Sequence, residues 1–274
     1  MTDRTGLRAA LREGPAGHWC AIPAPGVAES LALTDADFVV IDTEHTPAGV
    51  ESVEACVRAV DAANGTASGG EGDEAADGDG ADADGHTYPV VRVAWNDHVR
   101  IKRVLDTGAA GVMAPQVNTA AEAEAFVAAA RYPPEGRRGV AGARASGYGR
   151  DLGAYYDGAN DRVATIAQVE TAEAVDNAGE VSAVEGLDAL LVGPADLSAN
   201  LGVFGEYGSE RFVSAVEDVL AASAVPVGTL ATSPAEVDRW THLGYDYQIV
   251  GVDAGYLAAG AEAALERYAG ADGD

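Results

Sequence analysis

The sequence predicts a single (β/α)8 barrel, and three features point there. Eight short apolar runs recur along the chain, each followed by a segment with helical periodicity. The 274 residues suit one such barrel, whose usual size is about 250 residues. Several of the runs also end on acidic or polar side chains, and in barrels of this kind the chemistry sits at the C-terminal ends of the strands. An open doubly wound sheet is the alternative, but its usual Gly-rich first turn is missing.

Taken in order, His18 to Ile22 is the first strand, with a short helix near Gly26 to Leu33. Asp37 to Asp42 is a continuous apolar run, as a strand buried on both faces requires, and leads into Thr43-Glu44-His45. Helix two covers Val50 to Ala63, and strand three Val90 to Ala94. Helix three spans Asn96 to Thr107, with Val99, Ile101, Val104 and Leu105 on its apolar side. Gly111 to Pro115 is strand four, and Thr119 caps a helix running to Arg131. Strands five and six, Ala164 to Val169 and Leu187 to Val192, end on Glu170 and on Gly193-Pro194-Ala195-Asp196. Val225 to Leu230, a helix over Ser233 to Leu243, Tyr247 to Val252 and a helix over Ala254 to Tyr268 close the barrel.

Two segments interrupt the rhythm. Gly65 to Gly85 holds seven glycines, seven acids and no base, a composition that buries no core and predicts disorder. It joins a helix to a strand, which places it on the face away from the chemistry. Tyr132 to Asp161, with its Pro-Pro-Glu-Gly-Arg-Arg-Gly start, reads as a subunit contact or a lid.

Composition narrows the function. A net charge of −27 argues against nucleic acid and anionic membranes as partners. No apolar run approaches a membrane span and the N-terminus has no signal-type apolar stretch, so a soluble, cytoplasmic protein is expected. The acidic, lysine-poor surface resembles that of proteins from salt-loving organisms. Cys20 and Cys56 match no metal or redox spacing and read as small buried hydrophobes.

The strand ends gather Asp42, Glu44, His45, Arg92, Gln116, Gln168, Glu170 and Asp196. Glu170 and Asp196 stand at equivalent ends of successive strands, which in a parallel sheet lie roughly 4.8 Å apart, so they could share one hard divalent cation. Two carboxylates leave the remaining positions of an octahedral Mg2+, Mn2+ or Co2+ shell to water and substrate. The turn from Gly193 to Ser198 reads as a helix start, which favours an anionic group. Such a set suits deprotonation or carbon–carbon cleavage beside a ketone: the cation polarises the carbonyl, Arg92 stabilises the enolate oxygen and His45 moves the proton. Asp42 completes the candidate catalytic groups. The single lysine, Lys102, lies mid-helix on an outer element, which disfavours Schiff-base and pyridoxal chemistry. There is no nucleophile elbow, Walker loop or haem motif.

Phe38-Val39-Val40-Ile41-Asp42-Thr43-Glu44-His45, Val91-Arg92-Val93, the Tyr132 to Gly139 segment, Gln168-Val169-Glu170 and Gly193 to Ser198 together resemble the HpcH/HpaI aldolase family. The likeness runs in order along nearly the whole chain, apart from the acidic insert and the tails. It implies a modified (β/α)8 barrel, a homo-oligomer (usually a hexamer) and metal-dependent, reversible cleavage of 4-hydroxy-2-oxo acids to pyruvate and an aldehyde. It further implies Glu170 and Asp196 as metal ligands, Gln168 and the Ala195 backbone against the pyruvate part, His45 as base and Arg92 on the enolate. It points to Asp106 as an acid that raises the basicity of the histidine. Asp106 ends helix three, so it would serve a neighbouring subunit's site unless the helix boundaries differ. A lyase acting on citryl- or malyl-CoA and a non-catalytic 2-oxo-acid-binding protein are the other readings.

Overall fold

The computed structural model describes residues 6–67 and 85–271. A short helix α1 (Gly6–Ala10) precedes β1 (Ala16–Cys20), α2 (Pro25–Ala32), β2 (Phe38–Asp42) and α3 (Val50–Ala67). Next come β3 (Tyr88–Arg92), α4 (His98–Asp106), β4 (Gly111–Ala114), α5 (Ala120–Ala130) and α6 (Leu152–Arg162). The second half holds β5 (Ala164–Val169), α7 (Ala172–Asp176), α8 (Ala178–Ser182), β6 (Ala189–Val192), α9 (Pro194–Asn200) and α10 (Glu210–Ala222). It ends with β7 (Val227–Leu230), α11 (Pro234–Leu243), β8 (Tyr247–Val252) and α12 (Asp253–Ala271). All eight strands run parallel in sequence order, and β8 pairs with β1 to close the barrel.

Alternation along the strands sorts the side chains into two layers. Outward residues such as Val39, Ile41, Val91 and Val112 pack against the helices, together with Cys20 and Cys56, both fully buried. Inward residues fill the barrel: Phe38 and Val40, Tyr88 and Val90, Ile166, Leu191, Tyr247 and Ile249. The aromatic rings need space, and glycine on a neighbouring strand supplies it. A Cβ on Gly17 would come within 2.5 Å of the Phe38 ring, and one on Gly228 within 2.2 Å of the Tyr247 ring. Leu7 of α1 and the following Leu11 plug the bottom of this inner layer. Just before β2, β6 and β8, Asp37, Asp188 and Asp246 each accept a backbone N–H from the start of the preceding strand, those of Ala16, Thr165 and Val227, at 2.8, 2.9 and 2.8 Å.

The differences from the sequence reading lie mainly at element ends. β1 and β3 begin two residues earlier than expected, because ladder pairing sets their starts: Gly17 pairs with Phe38, and Phe38 with Tyr88. On α4, Ile101, Val104 and Leu105 are buried as expected, but Val99 is exposed because it lies in the first turn, just after the Asp97 cap. Thr119 does cap α5, in a reciprocal box with Glu122. The expected loop from Tyr132 to Asp161 contains α6 and a 3-10 turn at Arg144–Ser146. Most of the acidic stretch lies outside the described residues; its flanks, the end of α3 and Gly85, stand at the face opposite the strand C-termini. No helix among the described residues is long and apolar enough to cross a membrane.

Candidate active site

The inward period of two carries polar residues to the barrel mouth. Phe38-Val40 continues to Asp42, Tyr88-Val90 to Arg92, and Ala164-Ile166 to Gln168, so one face is apolar below and polar at the rim. Asp42 and Arg92 are register partners on adjacent strands. Their side chains make two parallel bonds, Nε to Oδ1 at 2.8 Å and Nη2 to Oδ2 at 2.9 Å. The third arm, Nη1, lies 2.8 Å from Glu44 Oε2, and the guanidinium stacks over the Trp19 ring at 4.5 Å. This cation is only 7% exposed, and two carboxylates and an aromatic face fix its position. Burial pushes the Glu44 carboxyl up; Arg92 and His45 oppose that shift, while Asp42 and Asp196 reinforce it.

His45 stands at the open side, 69% exposed, with Nε2 3.8 Å from Glu44 Oε1. Asp42 is committed to Arg92, so within the chain Glu44 is the carboxylate that links the arginine to the histidine.

Glu170 follows β5 and is 2% exposed. Its Oε2 accepts the backbone N–H of Gln116 at 3.1 Å and the Gln116 amide at 3.0 Å; its Oε1 accepts the Gln168 amide at 2.8 Å. Burial drives its pKa from the ordinary 4.5 to about 7; the Gln116 N–H works against this, and the nearby Asp196 and Glu44 charges add to it. The expected helix start is present, with α9 beginning at Pro194 and Asp196 in its first turn. His45, Arg92, Gln168, Glu170, Ala195 and Asp196 all line one cavity of about 220 Å³, with Trp19 and Leu191 on its apolar side.

Among the described residues no three His, Cys, Asp or Glu side chains form a ligand cluster, so the protein offers two carboxylates, Glu170 and Asp196. They fit a hard divalent cation. Glu170 is buried and lacks a direct cationic partner, a second and a third carboxylate raise its pKa, and the Gln168 Oε1 beside it is buried with no hydrogen-bond partner. A 2+ charge among these oxygens would offset that repulsion.

Asp106 is not part of this assembly. It closes α4 at the opposite end of the barrel, where Arg138 donates to its Oδ1 at 3.1 Å. Lys102, also on α4, does not line the cavity.

The pattern of the HpcH/HpaI aldolase/citrate lyase family matches residues 16–259, a span that holds every one of these side chains. The chain belongs to that family. A 4-hydroxy-2-oxovalerate aldolase from Novosphingobium aromaticivorans is 38% identical over 98% of this chain and 96% of its own length. A 4-hydroxy-2-oxo-heptane-1,7-dioate aldolase from Salmonella dublin is 37% identical over 92% and 89%. The crystal structure of an HpcH/HpaI family protein from Burkholderia cenocepacia J2315 superposes with a TM-score of 0.85 at 33% identity, covering 96% of this chain and 99% of that one. As a member of the HpcH/HpaI family, the chain is a carbon–carbon lyase of the aldolase type, and this family generally depends on a divalent metal.

Four residues of this candidate site carry weaker signals in the sequence. Glu44 and Gln116 are visible as strand-end residues, but nothing in their spacing assigns them partners. Trp19 sits one position inward of the first strand end. Gly193 matters because a Cβ there would stand 3.0 Å from Glu170 Oε1.

Proposed function

We propose that this aldolase reversibly cleaves a 4-hydroxy-2-oxo acid to pyruvate and an aldehyde with the help of a divalent cation held by Glu170 and Asp196. The observation that carries this reading is the convergence of Glu170, Asp196, Arg92 and His45 on a single cavity at the strand ends. When bound there, Mg2+, Mn2+ or Co2+ would supply a Lewis acid for the 2-oxo group. Gln168 and the Ala195 backbone line the same cavity and would orient the 2-oxo acid. His45, exposed at the rim, takes the proton of the 4-hydroxyl as the C3–C4 bond breaks and C4 becomes the aldehyde carbon. The bond's electron pair passes to the pyruvate fragment, where Arg92 faces the negative charge growing on the former carbonyl oxygen. Asp42 and Glu44 hold Arg92 in place, and Trp19 with Leu191 keeps water from that side of the cavity. Asp106 reaches no site in its own barrel, and its role in supporting a histidine falls to a neighbouring subunit's site.

A homo-oligomer, as a hexamer, accords with α12. Residues 254–270 of this helix are all exposed, and Leu257, Leu265 and Tyr268 are 67, 70 and 74% exposed on one stripe with Ala261. A cytoplasmic, salt-adapted protein accords with the −27 charge.

The test is pyruvate release from a panel of 4-hydroxy-2-oxo acids, with EDTA and after restoring Mg2+, Mn2+ or Co2+. Metal-dependent release from at least one compound is expected. Release unaffected by EDTA, or none from any member, would overturn the reading.

A further inference from the structure

Gln116 follows β4, 54 positions before Glu170, and its backbone is unusual. Its φ is 55°, and among the described residues only Tyr148 shares a positive φ without being glycine. That torsion sets where a side chain lies relative to its own N–H. At Gln116 it brings both the backbone N–H and the side-chain amide onto one atom, Oε2 of Glu170, at 3.1 and 3.0 Å. A left-handed glutamine is sterically disfavoured, and it persists only where its surroundings over-determine it.

The surroundings here do so. Asn118 donates to the Gln116 carbonyl at 3.2 Å. Its own carbonyl accepts from Asn177 at 2.8 Å, and its side-chain oxygen accepts from Thr171, the residue directly after Glu170. The turn after β4 and the start of α7 are thus bound into one network around the Glu170 carboxylate. Oε2 is taken by two donors; the other oxygen, Oε1, accepts the Gln168 amide at 2.8 Å and lies against Gly193, which opens the turn leading to Asp196.

We propose that Gln116 is a positioning residue for the metal site: its paired donors hold Oε2 of Glu170 and thereby present Oε1 on the side of Asp196. This rests on the reading of Glu170 and Asp196 as metal ligands. An outer partner of this kind sets ligand orientation, and its loss lowers metal affinity by about 10–100-fold.

The test is Mn2+ binding to the full-length, EDTA-stripped protein, followed by the loss of the free Mn2+ electron paramagnetic resonance signal, alongside metal-free thermal melts. Gln116→Met keeps the length and removes the amide. Gln116→Gly relaxes the backbone and keeps the main-chain donor. Both are expected to weaken Mn2+ binding by about tenfold or more, and in Gln116→Gly the metal-free melting temperature stays at or above that of the unmodified protein. A loss of less than about tenfold in whichever variant folds, or a lowered melting temperature with an unchanged dissociation constant, overturns the proposal and leaves Gln116 a structural clamp. Glu170→Gln is the control for the underlying reading. If it binds Mn2+ as the unmodified protein does, the metal site itself is misassigned; if it loses Mn2+ while the Gln116 variants keep it, only the positioning role fails.

Discussion

Arg92 and His45 stand at one mouth and, on the proposed function, serve different atoms of the reaction. The guanidinium is buried and bidentate with Asp42, and on that proposal it serves the charge that grows in any step forming the pyruvate enolate. The imidazole is exposed at the rim, where the aldol hydroxyl would lie. His45→Ala should slow aldol cleavage by about 10²–10⁴-fold while sparing much of the metal-assisted decarboxylation of oxaloacetate, which has no hydroxyl proton to remove at that position. Arg92→Ala should depress both reactions by about 10²–10³-fold. Steady-state assays of the two reactions on each variant check this, and equal loss of both in the His45 variant would argue against the division of labour.

Glu170 offers a second test at the same scale. In the metal-free protein its folded pKa of about 7 lies above the ordinary 4.5, so the folded state binds its proton more tightly than the unfolded one. That contribution to stability is complete below about pH 4.5 and is lost as pH rises through about 7. The span corresponds to roughly 3 kcal/mol. Melts in EDTA between these limits should show a falling stability that is much shallower in Glu170→Gln. Identical slopes in the two proteins would place the titration elsewhere.

Among the elements, the barrel interior is the most tightly specified. Gly228 of β7 faces the Tyr247 ring, whose hydroxyl donates to the Leu190 carbonyl at 2.8 Å, so the ring cannot easily retreat. Gly228→Ala should therefore destabilise the fold by about 1–3 kcal/mol, measured by urea unfolding; an unchanged midpoint would mean that the inner layer yields more readily than its packing implies.

The strands are legible in the sequence because burial on both faces leaves a continuous apolar signature, as in Phe38 to Ile41 and Ala164 to Val169. Their ends are less so, since ladder register and not composition fixes them. α6 leaves little trace because LGAYYDGANDR has two glycines and little apolar periodicity, and the Asp151 side chain makes no cap bond. α10 is absent from the sequence reading although Phe212, Ala215, Val216 and Val219 repeat at helical spacing and Ser209 caps it. The site follows the same division. Glu170, Asp196, Arg92 and His45 are chemically telling residues at strand ends, whereas the role of Gln116 depends on one torsion and on a partner 54 positions away. The Asp42–Arg92 pair needs the β2–β3 register to be seen.

Across the whole molecule, charge governs behaviour outside the core. Removing the stretch from Gly65 to Gly85 takes away seven negative charges, and −27 plus 7 leaves −20. At 1 M salt a Debye length of ~3 Å screens repulsion among the remaining charges. Molar KCl should raise the melting temperature of both the full-length and the trimmed protein, and trimming should leave the catalytic constants nearly unchanged because its flanks lie opposite the strand ends. Melts from about 0.1 to 3 M KCl with parallel assays check this. A trimmed enzyme that keeps its melting temperature but loses turnover would place the stretch at an active site, that of a neighbouring subunit included.

On the proposed function, Glu170 and Asp196, following successive strands, hold the metal on which cleavage depends. Metal-stimulated pyruvate release by Asp196→Ala beside the unmodified protein tests this, with circular dichroism to confirm that both are folded. Asp196 lies on the first turn of α9 at the cavity, outside the packed core. The expected result is a folded variant in which Mg2+, Mn2+ or Co2+ no longer restores release. A folded Asp196→Ala enzyme with near-normal, metal-dependent turnover would contradict the account.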